Sequence, residues 1–130
     1  MIVALHVATG AAAGAASRSR LVALLLGPVL HLAGDCLPHE DFHSTRLEIG
    51  TGLAGIVLLA TRRGLLDPAT LGAAASSAPD LEHVLPFLRP GGRKLFHDRL
   101  GWHREGPLSA YVQLLLAGVI LAALTAPQRR

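Results

Sequence analysis

The sequence predicts an all-α membrane helical bundle of about five helices, with a polar cap rich in His and Asp at one end. Three observations carry that expectation. Of 130 residues, 51% are apolar and only 16% are charged, against about 25% charged in an average soluble domain. Aromatic residues make up 4%, while Ala, Leu and Gly dominate, a composition that disfavours a β-sandwich or barrel. Five apolar runs are separated by short polar turns, with no long linker, low-complexity tract or clear repeat, so residues 1–130 read as one domain.

Residues 2–17, IVALHVATGAAAGAAS, form the first run. Its Gly10 and Gly14 make a GxxxG pair suited to close helix contact, and the order of a signal peptide is missing, so it reads as structure. Residues 21–34 are the second run, which Pro28 is expected to kink one turn before His31. A polar stretch follows at 35–47, then a third run at 48–61 stopped by Arg62 and Arg63. Asp67 and Pro68 read as an N-cap and a first helical position, opening a weakly apolar fourth run that Pro79 interrupts. Residues 89–106 are polar and hold five basic residues. The last run, 107–126, is uncharged, and its twenty residues would reach about 30 Å, enough to cross a bilayer. The other runs are shorter and would need thinning, tilt or partial insertion.

If the helices alternate in direction, the polar residues sort by end. Arg18, Arg20, Arg62, Arg63, Arg129 and Arg130 fall on one side with Asp67. All seven histidines and eight of the nine carboxylates fall on or near the other. Lys and Arg number six on each side, so the charge rule for topology places the His-rich face outside the cytoplasm only weakly.

The spacings on that face are those of metal ligands. His31 and Asp35 are four residues apart, so on a helix both reach one ion; a helix-end His capped by Asp is the plainer alternative. Asp80 and His83 are three apart, with an N-cap Asp as their alternative. His39, Glu40, Asp41 and His43 form either ligands or a solvated turn. His97 and His103 flank Asp98, Arg99 and Trp102. His6 sits inside an apolar run, where an ionisable group is costly and is either functional or a satisfied core histidine.

Three or more His with two Asp suit Zn²⁺, with Mn²⁺ or Fe²⁺ as the other options, and ligands suffice for one ion or two. Hydrolysis is the economical use of such a site, because a metal-bound water becomes a nucleophile near neutral pH. Glu82 is placed either as a general base or as a partner behind the ligands. Arg99 and Arg104, with His103, are weaker candidates for holding an anionic substrate group, against a plain solvated loop. Cys36 is expected to be a small packed residue, and Trp102 and Tyr111 to anchor at a membrane interface.

Several classes drop out on pattern. There is no Gly-rich phosphate loop, no HExxH and no nucleophile elbow. The basic residues are scattered and few aromatics accompany them, so nucleic acid is not an expected partner. One cysteine excludes an intrachain disulfide framework.

At these residues the chain resembles a family of bacterial inner-membrane proteins described as membrane-bound metal-dependent hydrolases. LHVATGAAAG (5–14) looks like the family's opening His and small-residue helix. GPVLHLAGDCLPHED (27–41) is similar to its HxxxD segment and Pro-His turn. APDLEH (78–83) resembles its PDxDH motif, with Glu82 where the second acid usually stands. LFHDRLGWH (95–103) resembles the closing basic, His-rich segment. The order, HxxxD before PDxDH, departs from the better-known branch. The resemblance implies His6, His31, Asp35, His39, Asp80, His83 and His97 as ligand candidates, and a bacterial inner-membrane location.

The expected activity is therefore hydrolysis of a lipid-like or phosphorylated substrate at one membrane face, with membrane lipid as the surrounding partner. Two other readings stand beside it: a non-catalytic metal-binding membrane protein, and a soluble or peripheral Ala-rich bundle with structural histidines. Transport is disfavoured because the ligands gather at one end rather than mid-bilayer. Oligomeric state has no signature in the sequence.

Overall fold

The computed structural model describes residues 1–95 and 104–127, and they form five α-helices: α1 (Val3–Ser17), α2 (Arg20–Asp35), α3 (Thr45–Arg63), α4 (Pro68–Ser77) and α5 (Ala110–Thr125). Short 3₁₀ turns at Ala78–His83, Pro86–Leu88 and Pro90–Gly92 follow α4. Local chemistry sets the helix starts. The side chains of Ser19, Ser44, Asp67 and Ser109 each accept a backbone N–H of the first turn, which satisfies one of the donors a helix start leaves open. Pro68 occupies the first turn of α4, where its missing N–H costs nothing. α2 continues through Pro28 to Asp35. α3 begins three residues before the apolar run does, because Ser44 caps it there.

The helices alternate in direction. Gln113, in the first turn of α5, accepts the N–H of Ile2 at the start of α1. At the opposite end Arg63 donates to the carbonyl of Leu124, late in α5, and to Asp67 before α4. α1 is the central helix and packs against the other four. Its buried face is made of small residues, Ala4, Ala8 and Ala11, with Ile2 and Val7. Glycines set the closest approach: a Cβ on Gly10 would collide with the carbonyl of Gly72, and one on Gly14 with that of Pro68. The GxxxG face of α1 therefore lies backbone to backbone on α4.

The expected membrane-crossing helix at 107–126 is corrected. α5 has 16 residues, about 24 Å of rise, because Gly106, Pro107 and Leu108 precede the helix as a strap. In that strap Leu108 accepts the N–H of Glu40, and Gly106 donates to His39. Among the described residues, no helix is both long and apolar enough to cross a membrane.

The outer surface is nonetheless apolar. Leu21, Leu25 and Val29 on α2 are 66%, 65% and 59% exposed, a row at four-residue spacing. Ile49, Leu53 and Val57 on α3 form a second row, and Tyr111, Leu115 and Val119 on α5 a third. Monomers in water rarely expose contiguous apolar faces of this kind.

Candidate metal centre

The end of α2, the start of α1 and the turn after α4 meet at one end of the bundle. His31 and Asp35 sit one turn apart on α2, and His6 faces them from α1. The two imidazoles stack, centroids 3.9 Å apart and planes at 24°. Both rings are fully buried. Asp35, also buried, lies between them: Oδ1 is 3.0 Å from His6 Nε2 and Oδ2 is 3.3 Å from His31 Nε2.

The partners assign protons. A backbone carbonyl can only accept, so His31 Nδ1 donates to Ser76 O at 2.9 Å. An ionised Asp35 likewise accepts from His6 Nε2, which leaves the lone pair of His6 on Nδ1. That Nδ1 is buried with no hydrogen-bond partner among the described residues. Burial lowers the His6 pKa from 6.5 to about 4, outweighing the Asp35 hydrogen bond that raises it, so the ring is neutral at pH 7. Burial alone would raise the Asp35 carboxyl, but the imidazoles of His31 and His6 and the Met1 ammonium beside it hold it far below the usual carboxylate range.

Asp80, in the turn after α4, completes the group. Its Oδ2 is 3.8 Å from His31 Nδ1, and its side chain is 14% exposed. One ligating atom from each of His6, His31 and Asp80 lies within 4.8 Å of the others, so this group can hold a metal ion. Two imidazoles and a carboxylate are a donor set for a divalent transition metal, and the lone pair on His6 Nδ1 is a donor without another occupation. Asp35 stands behind the group and orients His6, as Ser76 O orients His31, the arrangement that fixes metal-binding histidines.

His39 is also buried, but apart from that group. Its Nδ1 is 2.6 Å from Leu37 O, and its Nε2 faces the Met1 amino group and, at 3.3 Å, Asp41 Oδ1. The Met1 amino group also donates to Asp35 Oδ1 at 2.8 Å. His83 is exposed, with Lys94 Nζ 3.1 Å from its Nδ1. Glu82 is buried, and its Oε2 accepts the N–H of Leu95 at 2.7 Å, so its carboxylate anchors the segment after the turn. Arg104 is exposed, and its backbone pairs with Asp35 and His39. His43 is exposed. Cys36 is exposed as well, which corrects its expected packing: it caps α2 at its C-terminus, outside the core. His97, Arg99, Trp102 and His103 lie outside the described residues.

Two polar residues with no ligand-like spacing hold this end together. Gln113 is fully buried; it accepts from Ile2 N and donates to Glu40 O at 2.7 Å and Leu108 O at 3.0 Å. Glu48, in the first turn of α3, accepts from Val3 N at 3.0 Å and Phe42 N at 2.8 Å. Burial raises its carboxyl above the ordinary value in spite of both bonds.

A cavity of about 320 Å³ opens between α1, α3 and the turn after α4. Asp35, Asp41, Glu48, Asp80 and His83 line it, together with Phe42, Ile49, Leu53, Ile56, Leu81 and Val84. Neither a family model, nor a curated protein, nor a solved structure matches the chain.

Proposed function

We propose that the chain is a metal-dependent hydrolase that works against a lipid surface, with one divalent ion held by His6, His31 and Asp80. The observation that carries this reading is the convergence of two buried imidazoles and a carboxylate within 4.8 Å, beside a cavity. Zinc fits the donor set first; iron and manganese are the other divalent ions that two His and one carboxylate accept. Such an ion supplies Lewis acidity toward a carbonyl or phosphoryl oxygen and lowers the pKa of water. Three protein ligands leave room for both.

The chain's own residues do the remaining work. Asp35 orients His6 through its Nε2, and Ser76 O holds the Nδ1–H of His31, which leaves the Nε2 of that ring as its ligating atom. Asp41, with a side chain 40% exposed, lines the same cavity and is the carboxylate we assign to take a proton from water. Glu82, engaged with Leu95 and not on that wall, serves the fold of the turn that carries Asp80. The apolar rows on α2, α3 and α5 are the faces that would rest against lipid, and the resemblance to bacterial inner-membrane hydrolases belongs to the same proposal.

Full burial of both imidazoles favours a second reading, a metal that holds the fold without turnover. Turnover separates the two. Purified protein, stripped with a chelator and reloaded with zinc, iron or manganese, is assayed on acyl esters, amides and phosphoesters. Metal-dependent hydrolysis abolished in Asp80→Ala supports the enzyme; bound metal with no turnover on any substrate leaves the second reading.

A further inference from the structure

We infer that the cavity beside the metal group is the binding site for a single acyl chain that enters from the lipid-facing side of α3, carrying an uncharged or cationic head to His6, His31 and Asp80. This rests on the metal-site reading above and names its substrate class. Two independent observations lead to it.

The first is the continuity of the apolar wall. Ile49 and Leu53 line the cavity and are also 42% and 58% exposed, and they share their helical row with Val57, which is 51% exposed. One apolar strip therefore runs from the outer face of α3 into the cavity, with Leu81 and Val84 facing it across the opening. Gly52 forms part of the floor, where α3 lies against Val3 so closely that a Cβ would collide with that side chain. A cavity of 320 Å³ is at the small end of ligand sites, which run from about 300 to 1,000 Å³, so it takes one chain rather than two.

The second is charge. Four carboxylates, Asp35, Asp41, Glu48 and Asp80, line the polar end, and no Lys or Arg is among the described lining residues. The Met1 ammonium also lines that end, paired with Asp35 and Asp41, and with its charge counted one divalent ion would still leave no net positive charge there, so a phosphate head meets repulsion while a neutral ester or amide carbonyl does not. The chain thus selects for an acyl group in a lipid-derived ester or amide, and against a soluble phosphorylated metabolite.

The test uses hydroxamates, whose heads chelate divalent metals, on the full chain in lipid nanodiscs, with titrations of empty nanodiscs subtracted. Metal content is measured on the same samples. Octanohydroxamate is expected to bind about a hundredfold more tightly than acetohydroxamate, as burial of several methylenes implies. In Leu53→Trp, which fills the groove, that gain falls below about threefold; in Leu115→Trp, on the exposed row of α5 away from the cavity, it persists. Metal-loaded protein that binds both hydroxamates equally overturns the acyl-chain site and leaves the metal site standing. Protein that binds neither metal nor acetohydroxamate overturns both.

Discussion

His6 and His31 are 25 residues apart in the chain, yet their rings stack at 3.9 Å and both Nε2 atoms address the same carboxylate. The Met1 ammonium already pairs with that carboxylate at 2.8 Å, and the lone pair on His6 Nδ1 is the buried polar site left for a cation to complete.

Asp35 is placed as the residue that positions the His6 imidazole. Asp35→Asn keeps its shape and removes its charge. Metal affinity is expected to fall about 10- to 100-fold, the usual effect of losing such a partner, while circular dichroism shows the helices intact. Affinity measured by competition with a fluorescent chelator checks this, and unchanged affinity would remove Asp35 from the site.

The metal-free protein should lose stability in acid through His6. Its folded pKa of about 4 lies below the 6.5 of an ordinary imidazole, so the unfolded chain binds the extra proton first. Stability is therefore full above pH 6.5 and declines as pH falls toward 4, by about 3 kcal/mol in all. Asp35, depressed below its ordinary value, loses its contribution only at still lower pH. Urea titrations across this range, with His6→Gln as comparison, should show the slope in the parent and a much flatter curve in the variant.

Gly10→Ala should damage the fold and the site together. The new methyl overlaps the Gly72 carbonyl and comes within 2.5 Å of Ser76 Cβ, and the Ser76 carbonyl holds His31. An overpacking cost of about 1–3 kcal/mol corresponds to a Tm lower by roughly 5–10 °C. Gly50→Ala, which meets nothing within 4 Å, should hold or slightly raise Tm. Equal melting of the two variants would contradict the close α1–α4 contact.

Gln113→Leu removes three hydrogen bonds and leaves Ile2 N and Glu40 O to find other partners, while Leu108 O keeps the N–H of Glu40. Each buried group left unpaired costs about 1–3 kcal/mol, so a loss of about 3 kcal/mol or more is expected from chemical unfolding. A loss under about 0.5 kcal/mol would mean the strap is not held as described.

Much of this organisation is legible in the sequence, for identifiable reasons. Helical spacing places His31 and Asp35 on one face, and the charge of the turns sorts the ligand-rich end from the arginine end. The Asp67–Pro68 start follows from local backbone chemistry alone. The roles of Glu48 and Gln113 do not follow in this way, because each bonds backbone groups far off in sequence, such as Val3 and Glu40, and no spacing rule marks them. For Gln113 a signal exists: it is the single polar side chain in the middle of an otherwise apolar segment, where an unsatisfied amide would be costly. The length of α5 also escapes the hydropathy pattern, since uncharged residues 107–109 are drawn into pairing with the segment around His39 rather than into the helix. The separation of His39 from His6 and His31 has the same origin: once its Nδ1 is held by Leu37 O, the ring faces Met1 and Asp41 instead.

The most direct test is metal content by elemental mass spectrometry on the purified full chain, alongside His6→Ala and Asp80→Ala. About one divalent ion per chain is expected in the parent, most of it zinc, with its loss from both variants while circular dichroism shows that they fold. A parent chain that neither carries nor takes up a divalent ion, or variants that retain it in full, would contradict the metal centre.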